Sequence, residues 1–452
     1  MLRISPTAAL PRAAQCVAFA LGLALSSPAR ALESNTAKAP AVARTASAHR
    51  LLRDPEGLAS WLSDQNPYVR AARARAHQAQ ADVASTHLFP NPVLDASLSN
   101  VPITTTNPPG LTFGETAIFG VGLSQTFELG KRGPRQDAAA LRERAARLDV
   151  TSTLVDRVTA ARDALGAAVH LGLRLGILQE SLTDAERAAA LEHTRLEQKA
   201  LSGMDYDRLL LDLAALKAEF ARNQSEYTAA RAGCRAALGA ECDLAGVTEE
   251  DFDDALPLAP GAGGEDRLNA RSDLRSLDLQ ASAARRDADL ASNRAIPDVT
   301  ARVGYVHDRF VVSGDNMNTL AFGLALPLPV FDHGQHDSRK ATEHAIELED
   351  DRRALFADAR ADLEGLLSRK AALESNIQVL TKETLPRSDA VLGASEQAFH
   401  QGGASMTDFL LARRTHIALS LTRLDQRFEL FAVKNELHRV LGLAAPAHQG
   451  NP

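Results

Sequence analysis

The chain has 452 residues, of which 45% are hydrophobic and only 4% aromatic, and its formal net charge is −7. A low aromatic content together with abundant alanine favours long, closely packed helices over a thick globular core. The acidic balance argues against nucleic acid as a partner, because contact with phosphates requires an excess of basic side chains.

The N-terminus has the features of a secretory signal peptide, predicted for residues 1–31. Arg3 and Arg12 supply positive charge, residues 13–25 form an apolar stretch, and residues 29–31 (Ala-Arg-Ala) offer a small-residue cleavage site. The apolar stretch is too short for a membrane anchor. Removing this segment leaves 47 basic residues against 57 acidic ones, a formal charge of −10.

Beyond this segment the sequence predicts two copies of one order of elements, at residues 49–245 and 267–443. An acidic linker rich in proline and glycine joins them at residues 246–266. Residues 32–48 and 444–452 are expected to be flexible. No apolar run reaches the length of a transmembrane helix, so any contact with a membrane would use strands.

Each copy contains a very long helical stretch, a glycine turn and a second long helix. The stretches at residues 134–200 and 335–400 contain almost no helix breakers, although Pro386 is expected to kink the second. About 65 helical residues would extend roughly 100 Å. After each turn, side chains recur at alternating steps of four and three, which predicts coiled-coil packing. These seams are Leu209, Leu213, Leu216, Phe220, Asn223, Tyr227, Ala230 and Cys234, then Leu410, Arg414, Ile417, Leu421, Leu424, Phe428, Phe431, Asn435 and His438.

Three cysteines are present. Cys16 lies inside the apolar stretch of the signal, so it is not interpreted as a lipid-attachment site. Cys234 and Cys242 lie eight residues apart at a helix end, in a compartment where disulfides can form. A disulfide and two separate thiols are both compatible with this spacing.

In four segments of about nine to eleven residues, large apolar residues alternate with small or polar ones, as in half-buried strands. They are residues 93–101, 117–127, 298–306 and 320–328. This length suits a tilted transmembrane strand. Two ordinary hairpins packed on the helices of a soluble protein would alternate in the same way. The side chains predicted to face lipid are Phe119, Val121, Leu123, Phe322 and Leu324.

Four strands cannot close into a barrel, and an open sheet edge is not tolerated in lipid because every backbone N–H and C=O must be paired there. Known membrane barrels start at eight strands. If these segments span a bilayer, several chains must share one barrel: a dimer gives eight strands, a trimer twelve and a tetramer sixteen. The small, polar face of the strands would then line a water-filled lumen.

The points where a strand runs into a long helix carry recognisable motifs. "QTFELGKRGPR" at residues 125–135 and "LPLPVFDHGQ" at residues 326–335 resemble the junctions of the outer-membrane efflux protein family, the TolC-type channels. The two glycine turns are similar to that family's helical-hairpin tips, and the likeness covers residues 50–443. The junction residues are Phe127, Gly130, Gly133, Phe331, Asp332, Gly334 and Gln335.

The resemblance implies a membrane β-barrel plus a long α-helical barrel. A homotrimer would form one 12-stranded barrel in the outer membrane of a Gram-negative bacterium and a coiled-coil tunnel in the periplasm. The tunnel of this passive channel would meet a periplasmic adaptor (membrane fusion) protein and an inner-membrane pump of the resistance-nodulation-division type. The first junction and first turn are most similar to the cobalt–zinc–cadmium branch, which implies efflux of heavy-metal cations.

By the same resemblance, the turns at residues 201–208 and 401–408 are the adaptor-facing tips. We expect glycine to allow each reversal, since it adopts backbone conformations that other residues resist. The expected turn residues are Gly203, Asp205, Gly403 and Ser405.

Asp408 matches the position of an acidic ring at the family's closed periplasmic mouth, where three carboxylates would favour cations. The family's second acidic residue is Leu411 here, so Asp205 and Asp207 are alternative candidates for a constriction. Helix capping is the other interpretation of Asp408.

No further chemistry is predicted. His333 and His336 lie on a turn whose neighbouring residues the junction motif already explains, so no metal site is expected, and neither a cofactor nor enzymatic activity is indicated. Within the same fold, the alternatives are a drug-efflux channel and a type I secretion channel. In a different class, the alternative is a soluble periplasmic coiled-coil scaffold or adaptor.

Overall fold

The computed structural model describes residues 45–106, 109–252, 264–309 and 316–443. The predicted signal peptide, the middle of the acidic linker and the residues after 443 lie outside these ranges. Across the described residues, every helix is too short or too polar to cross a membrane.

The first repeat begins with a short strand and three helices, followed by a strand pair and a long helical hairpin. Asp54 caps the second helix by accepting a hydrogen bond from the N–H of Gly57, and Asn66 caps the third by accepting one from Tyr68. The elements are β1 (Thr45–Ser47), α1 (Ala48–Arg53), α2 (Pro55–Gln65), α3 (Pro67–Thr86), β2 (Val93–Ser99), α4 (Phe113–Thr116), β3 (Ile118–Phe127), α5 (Arg132–Glu197), α6 (Gly203–Leu238) and β4 (Glu241–Asp243).

The second part of the chain again contains helices, a strand pair and a long helical hairpin, and its long helix has one interruption. Proline has no N–H to donate, and the turn just before Pro386 is a π-helical segment, Leu380–Thr384, at the place where the sequence predicted a kink. The elements are α7 (Glu265–Asn269), α8 (Ser272–Ser292), β5 (Val299–Asp308), β6 (Asn318–Ala325), α9 (Gln335–Val379), α10 (Leu385–His400) and α11 (Met406–Val440).

The four longer strands form one antiparallel sheet in the order β2-β3-β5-β6. The two repeats meet at β3 and β5, which pair over ten residues from Ile118 opposite Asp308 to Phe127 opposite Val299. β2 and β6 are therefore the two outer strands. Separately, β1 pairs in parallel with β4 and ties the start of the described chain to the end of the first hairpin.

Cys234 and Cys242 form a disulfide at that end of α6. Both cysteines are buried, in a cluster that includes Leu52, Trp61 and Phe252. Of the two alternatives that the spacing left open, the structure contains the disulfide.

The helical seams are packed as the heptad pattern predicts, with one exception. Every seam residue is buried or half-buried except Arg414, which is exposed. The buried arginine is its neighbour Arg413. The prediction for Arg414 was wrong because this residue lies at the edge of the interface, where its side chain is mostly exposed and its Nε contacts buried Asp212.

A buried arginine joins the N-terminal helices to both hairpins. Arg162 of α5, 1% exposed, donates to the carbonyl oxygen of Leu52 (3.2 Å) and to Oδ1 of Asn435 (3.1 Å). Burial lowers the pKa of Arg162 to about 10, so the guanidinium is still charged at neutral pH.

Candidate functional site

The sheet has one apolar and one small, polar face. Residues opposite one another in the register share a face, so Val121 lies on the same side as Ala96, Tyr305 and Leu320. Large apolar side chains on this side are exposed, up to 78% for Phe322 and 79% for Leu324. They are Leu94, Leu98, Phe119, Val121, Leu123, Phe127, Val303, Tyr305, Leu320, Phe322 and Leu324.

The opposite face is built mainly from small and hydroxyl side chains. Thr126 and Thr300 hydrogen-bond across β3 and β5, with 2.9 Å between their Oγ1 atoms. Alanine, glycine, serine and threonine dominate the rest of this face, at Ser97, Gly120, Gly122, Ser124, Gly304, Thr319, Ala321, Gly323 and Ala325. The five side chains predicted to face lipid therefore all lie on the apolar, exposed side.

The first junction, between β3 and α5, is held to the second repeat. Gly130 has a φ of +71°, a conformation that favours glycine, and its carbonyl oxygen accepts a hydrogen bond from Nδ2 of Asn293 at 2.7 Å. Lys131 Nζ lies 2.8 Å from Oδ1 of Asp298. Gly133 lies inside α5 with open space around it, so no steric reason requires glycine there.

A charged pair within the first junction fixes the start of α5. Arg135 donates through both terminal nitrogens to the two carboxylate oxygens of Glu128, each at 2.7 Å. This is the bidentate geometry of the stronger ion pairs. Together these contacts explain four residues of the "FELGKRGPR" motif: Glu128, Gly130, Lys131 and Arg135.

The second junction, between β6 and α9, is built by its motif residues. Gly334 has a φ of +84°, and a Cβ there would overlap the carbonyl oxygen of Ala291, so no side chain fits. Asp332 Oδ1 accepts from the Gly334 N–H at 2.9 Å. Gln335 accepts from the His333 N–H at 3.0 Å and donates to the carbonyl oxygen of Phe331 at 3.3 Å.

The aromatic side chains of the two motifs do not help to hold the junctions together within one chain. Phe127 is 51% exposed and Phe331 93% exposed. His333 and His336 are also exposed, and the described ranges contain no group of three or more metal-ligating side chains.

The first hairpin turn, residues 198–202, differs from the prediction. The residue with positive φ is Lys199 (+59°), whereas Gly203 is the first residue of α6 and needs no special conformation. Ser202 caps α6: its Oγ accepts from the Asp205 N–H (3.1 Å) and donates to Oδ2 of Asp205 (2.8 Å). The expectation for Gly203 was wrong because the serine cap, not glycine, sets the helix start.

The second turn, residues 401–405, has the same design. Gly402, not Gly403, has positive φ (+75°). Ser405 Oγ accepts from the Asp408 N–H at 3.1 Å and donates to Oδ2 of Asp408 at 2.7 Å, while the Ser405 N–H donates to the same oxygen at 3.2 Å. These hydrogen bonds, first from the Ser405 hydroxyl and then from its backbone N–H, lower the pKa of Asp408.

Within a single chain, Asp408 therefore takes part in a helix cap, as one interpretation of the sequence predicts. Asp205 has the equivalent position in the first hairpin. Asp205 also accepts from Nη1 of Arg208 at 3.1 Å. Asp207 is exposed one turn along α6. All three carboxylates lie at the same end of the hairpins, where Arg208 Nη1 reaches Oγ1 of Thr407 at 3.3 Å and joins the two turns.

One buried ion pair behind the turns was not predicted from the sequence. Asp212 of α6, 5% exposed, accepts from Nη2 of Arg413 at 2.7 Å and from Nε of Arg414. The pair joins the first hairpin to α11. Its only sequence signal is an acidic residue directly beside the apolar seam position Leu213.

The comparisons with known proteins agree with this architecture. Residues 265–442 match a family model described as outer membrane efflux protein. The chain is 23% identical over 390 residues to the cobalt-zinc-cadmium resistance protein CzcC of Cupriavidus metallidurans, covering 86% of this chain and 89% of that protein.

Solved structures of channels have the same fold. The structure of CusC superimposes with a TM-score of 0.74 at 17% identity, covering 86% of this chain and 92% of CusC. The outer-membrane channel OprN gives a TM-score of 0.71 at 20% identity, covering 88% and 93% of the two chains. The chain therefore shares its fold with these solved channels. These similarities to the outer-membrane efflux protein family confirm the resemblance found in the junctions and turns.

Proposed function

We propose that the chain is the outer-membrane channel of a tripartite efflux system, a passive homotrimeric conduit to the cell exterior. The observation that carries this proposal is a four-stranded sheet with an exposed apolar face, a small polar face and two outer strands that lack a second partner within the described chain.

Such a sheet is incomplete in a single chain. β2 and β6 each present one row of backbone N–H and C=O groups, which lipid would leave unpaired at a cost of about 2–7 kcal/mol per group. Pairing β6 of one copy with β2 of the next removes the edges. The family resemblance gives three copies and hence one barrel of twelve strands, with Phe119, Val121, Leu123, Phe322 and Leu324 toward lipid.

The helical hairpins would form the periplasmic tunnel. α5 has 66 residues, a length of roughly 100 Å, which a compact domain does not need. The turns at its far end would contact the adaptor protein, with the pump of the resistance-nodulation-division type beyond it. The proposed adaptor-facing residues are Gly203, Asp205, Gly403 and Ser405, and the proposed acidic mouth residues are Asp408, Asp205 and Asp207.

For the cargo, we propose heavy-metal cations. Two observations support this choice: the likeness of "ELGKRGPR" to the metal-resistance branch, and the similarity to CzcC, whose name describes cobalt, zinc and cadmium resistance. Drug efflux and type I secretion use the same fold and are the alternatives. No step in this role requires enzymatic chemistry or a cofactor.

Cell fractionation tests the channel against the soluble scaffold. The full chain, expressed with its N-terminus intact, should remain in outer membranes after a high-salt wash and should have the mass of a trimer in detergent. Release by salt as a monomer would contradict the proposal.

A deletion strain tests the cargo. Loss of tolerance to cobalt, zinc or cadmium with unchanged tolerance to dyes and antibiotics would support metal efflux. The opposite pattern would support drug efflux.

A further inference from the structure

The polar face of the sheet carries one ion pair near the middle of its strands. Arg302 of β5 donates through Nη2 to Oδ2 of Asp95 on β2, although β3 lies between these two strands. The pair is solvent-accessible, with side-chain exposures of 53% for Arg302 and 35% for Asp95.

The residue beneath the pair is Gly122 of β3. It lies opposite Asp95 on one side and opposite Gly304 on the other. A Cβ at Gly122 would lie 2.8 Å from Oδ1 of Asp95 and 2.9 Å from Nε of Arg302. A side chain here would displace the ends of both partners, so glycine lets them meet directly above the strand, although both are flexible enough to move aside.

Other charges on this face are few. Among the described residues of the four strands, the charged side chains are Asp95, Arg302 and Asp308, and Asp308 is the last residue of β5. The middle of the face is therefore electrically neutral only because Arg302 compensates Asp95. Loss of either partner would leave a single charge there in every copy of the chain.

We propose that Asp95 and Arg302 determine the charge selectivity of the lumen by cancelling one another. This inference rests on the proposed channel function, in which the polar face lines the pore and three copies form a ring of pairs. An uncompensated carboxylate ring would select cations, and conduction requires that a bound ion also be able to leave. The paired ring lets cations pass without holding them.

Planar-bilayer recordings on the full chain, purified in detergent as its native oligomer, test this assignment. Under a potassium chloride gradient near 0.1 M, where the screening length is about 10 Å, Arg302→Gln should shift the reversal potential toward that of potassium. Asp95→Asn should shift it toward that of chloride. Near 1 M salt, where screening acts within about 3 Å, both shifts should shrink.

Three matched variants distinguish an effect of the net charge from an effect of altered structure. The double variant Asp95→Asn with Arg302→Gln has the same net charge as the wild type and should return to the wild-type reversal potential. Arg302→Lys and Gly122→Ala keep both charges and should also match the wild type. If Arg302→Gln fails to assemble, the Asp95→Asn recording alone decides the question.

Single-charge variants that conduct with the wild-type reversal potential at low salt would overturn the charge assignment and leave the channel function intact. An assembled wild-type oligomer that does not conduct would instead contradict the proposed function.

Discussion

The sheet exposes its large apolar side chains, whereas the helical hairpins bury theirs. Along the hairpins, seam residues such as Leu209 and Leu424 are completely buried within one chain. On the sheet, Phe322 and Leu324 of the same chain expose more than three quarters of their surface. Burying such side chains stabilises a fold by roughly 1.5–3 kcal/mol each. The hairpins therefore gain this free energy within one chain, whereas the sheet does not; in the proposed barrel, other copies and lipid would supply it.

The largest expected effect comes from a charge on the exposed apolar face. Phe322→Arg should prevent barrel assembly, because arginine facing lipid costs about 2–4 kcal/mol at the bilayer midplane and the proposed trimer would carry three such arginines in one barrel. The measurement is the amount of detergent-resistant trimer in the outer-membrane fraction.

Thr319→Arg is the matched control for that variant, since it places the same charge on the polar face of the same strand. It should assemble normally. Equal losses for the two variants would show that the faces are not distinct.

The second-largest expected effect is on the packing of the helical hairpins. Asp212→Ala should destabilise the packing of α6 against α11 by about 3–5 kcal/mol, because it leaves Arg413 buried without a partner. Hydrogen exchange of the two helices near their turns measures this loss.

Asp207→Ala, an exposed carboxylate on the same helix, is the comparison and should change exchange little. Exchange in Asp212→Ala that equals the wild type would contradict a stabilising role for the buried pair.

The join between sheet and hairpin is the third test. Gly334→Ala would force a Cβ against the backbone oxygen of Ala291 and a left-handed conformation on alanine. Strain of this kind costs about 1–3 kcal/mol before any clash is counted. Thermal unfolding of the purified oligomer should occur at a lower temperature. Gly133→Ala, in open space at the first junction, should unfold at the wild-type temperature or above it.

The smallest effect is at the turns. Ser405→Ala removes the cap of α11 and should cost about 1 kcal/mol. Exchange should rise only in the first turn of that helix, and Ser202→Ala should do the same to α6. A loss of trimer assembly in either variant would mean that the turns carry more of the stability than the helix caps explain.

The sequence predicts the regular parts of the fold because they depend on local periodicity. The period of two in the strands and the heptad steps in the helices are visible without tertiary information. The turns are harder to predict: residue type points to Gly203 and Gly403, whereas the structure starts its helices at the Ser-x-x-Asp sequences of residues 202–205 and 405–408.

Contacts between distant segments could not be predicted in this way. Asp212 with Arg413, and Asp95 with Arg302 above Gly122, join residues about two hundred positions apart. The heptad steps place Arg414 in the seam and leave Arg413 outside it, whereas in the structure Arg413 is buried and Arg414 is exposed. The same holds for Gly122, whose small size matters only once two neighbouring strands are in place.

The central claim is that β6 of one copy pairs with β2 of the next. The direct measurement is disulfide cross-linking in membranes, with Ser97→Cys on β2 combined in turn with Thr319→Cys, Ala321→Cys or Gly323→Cys on β6. We predict that at least one combination yields covalent trimers under oxidation, while each single variant yields none. Chains that remain monomeric in all three combinations would contradict a shared barrel.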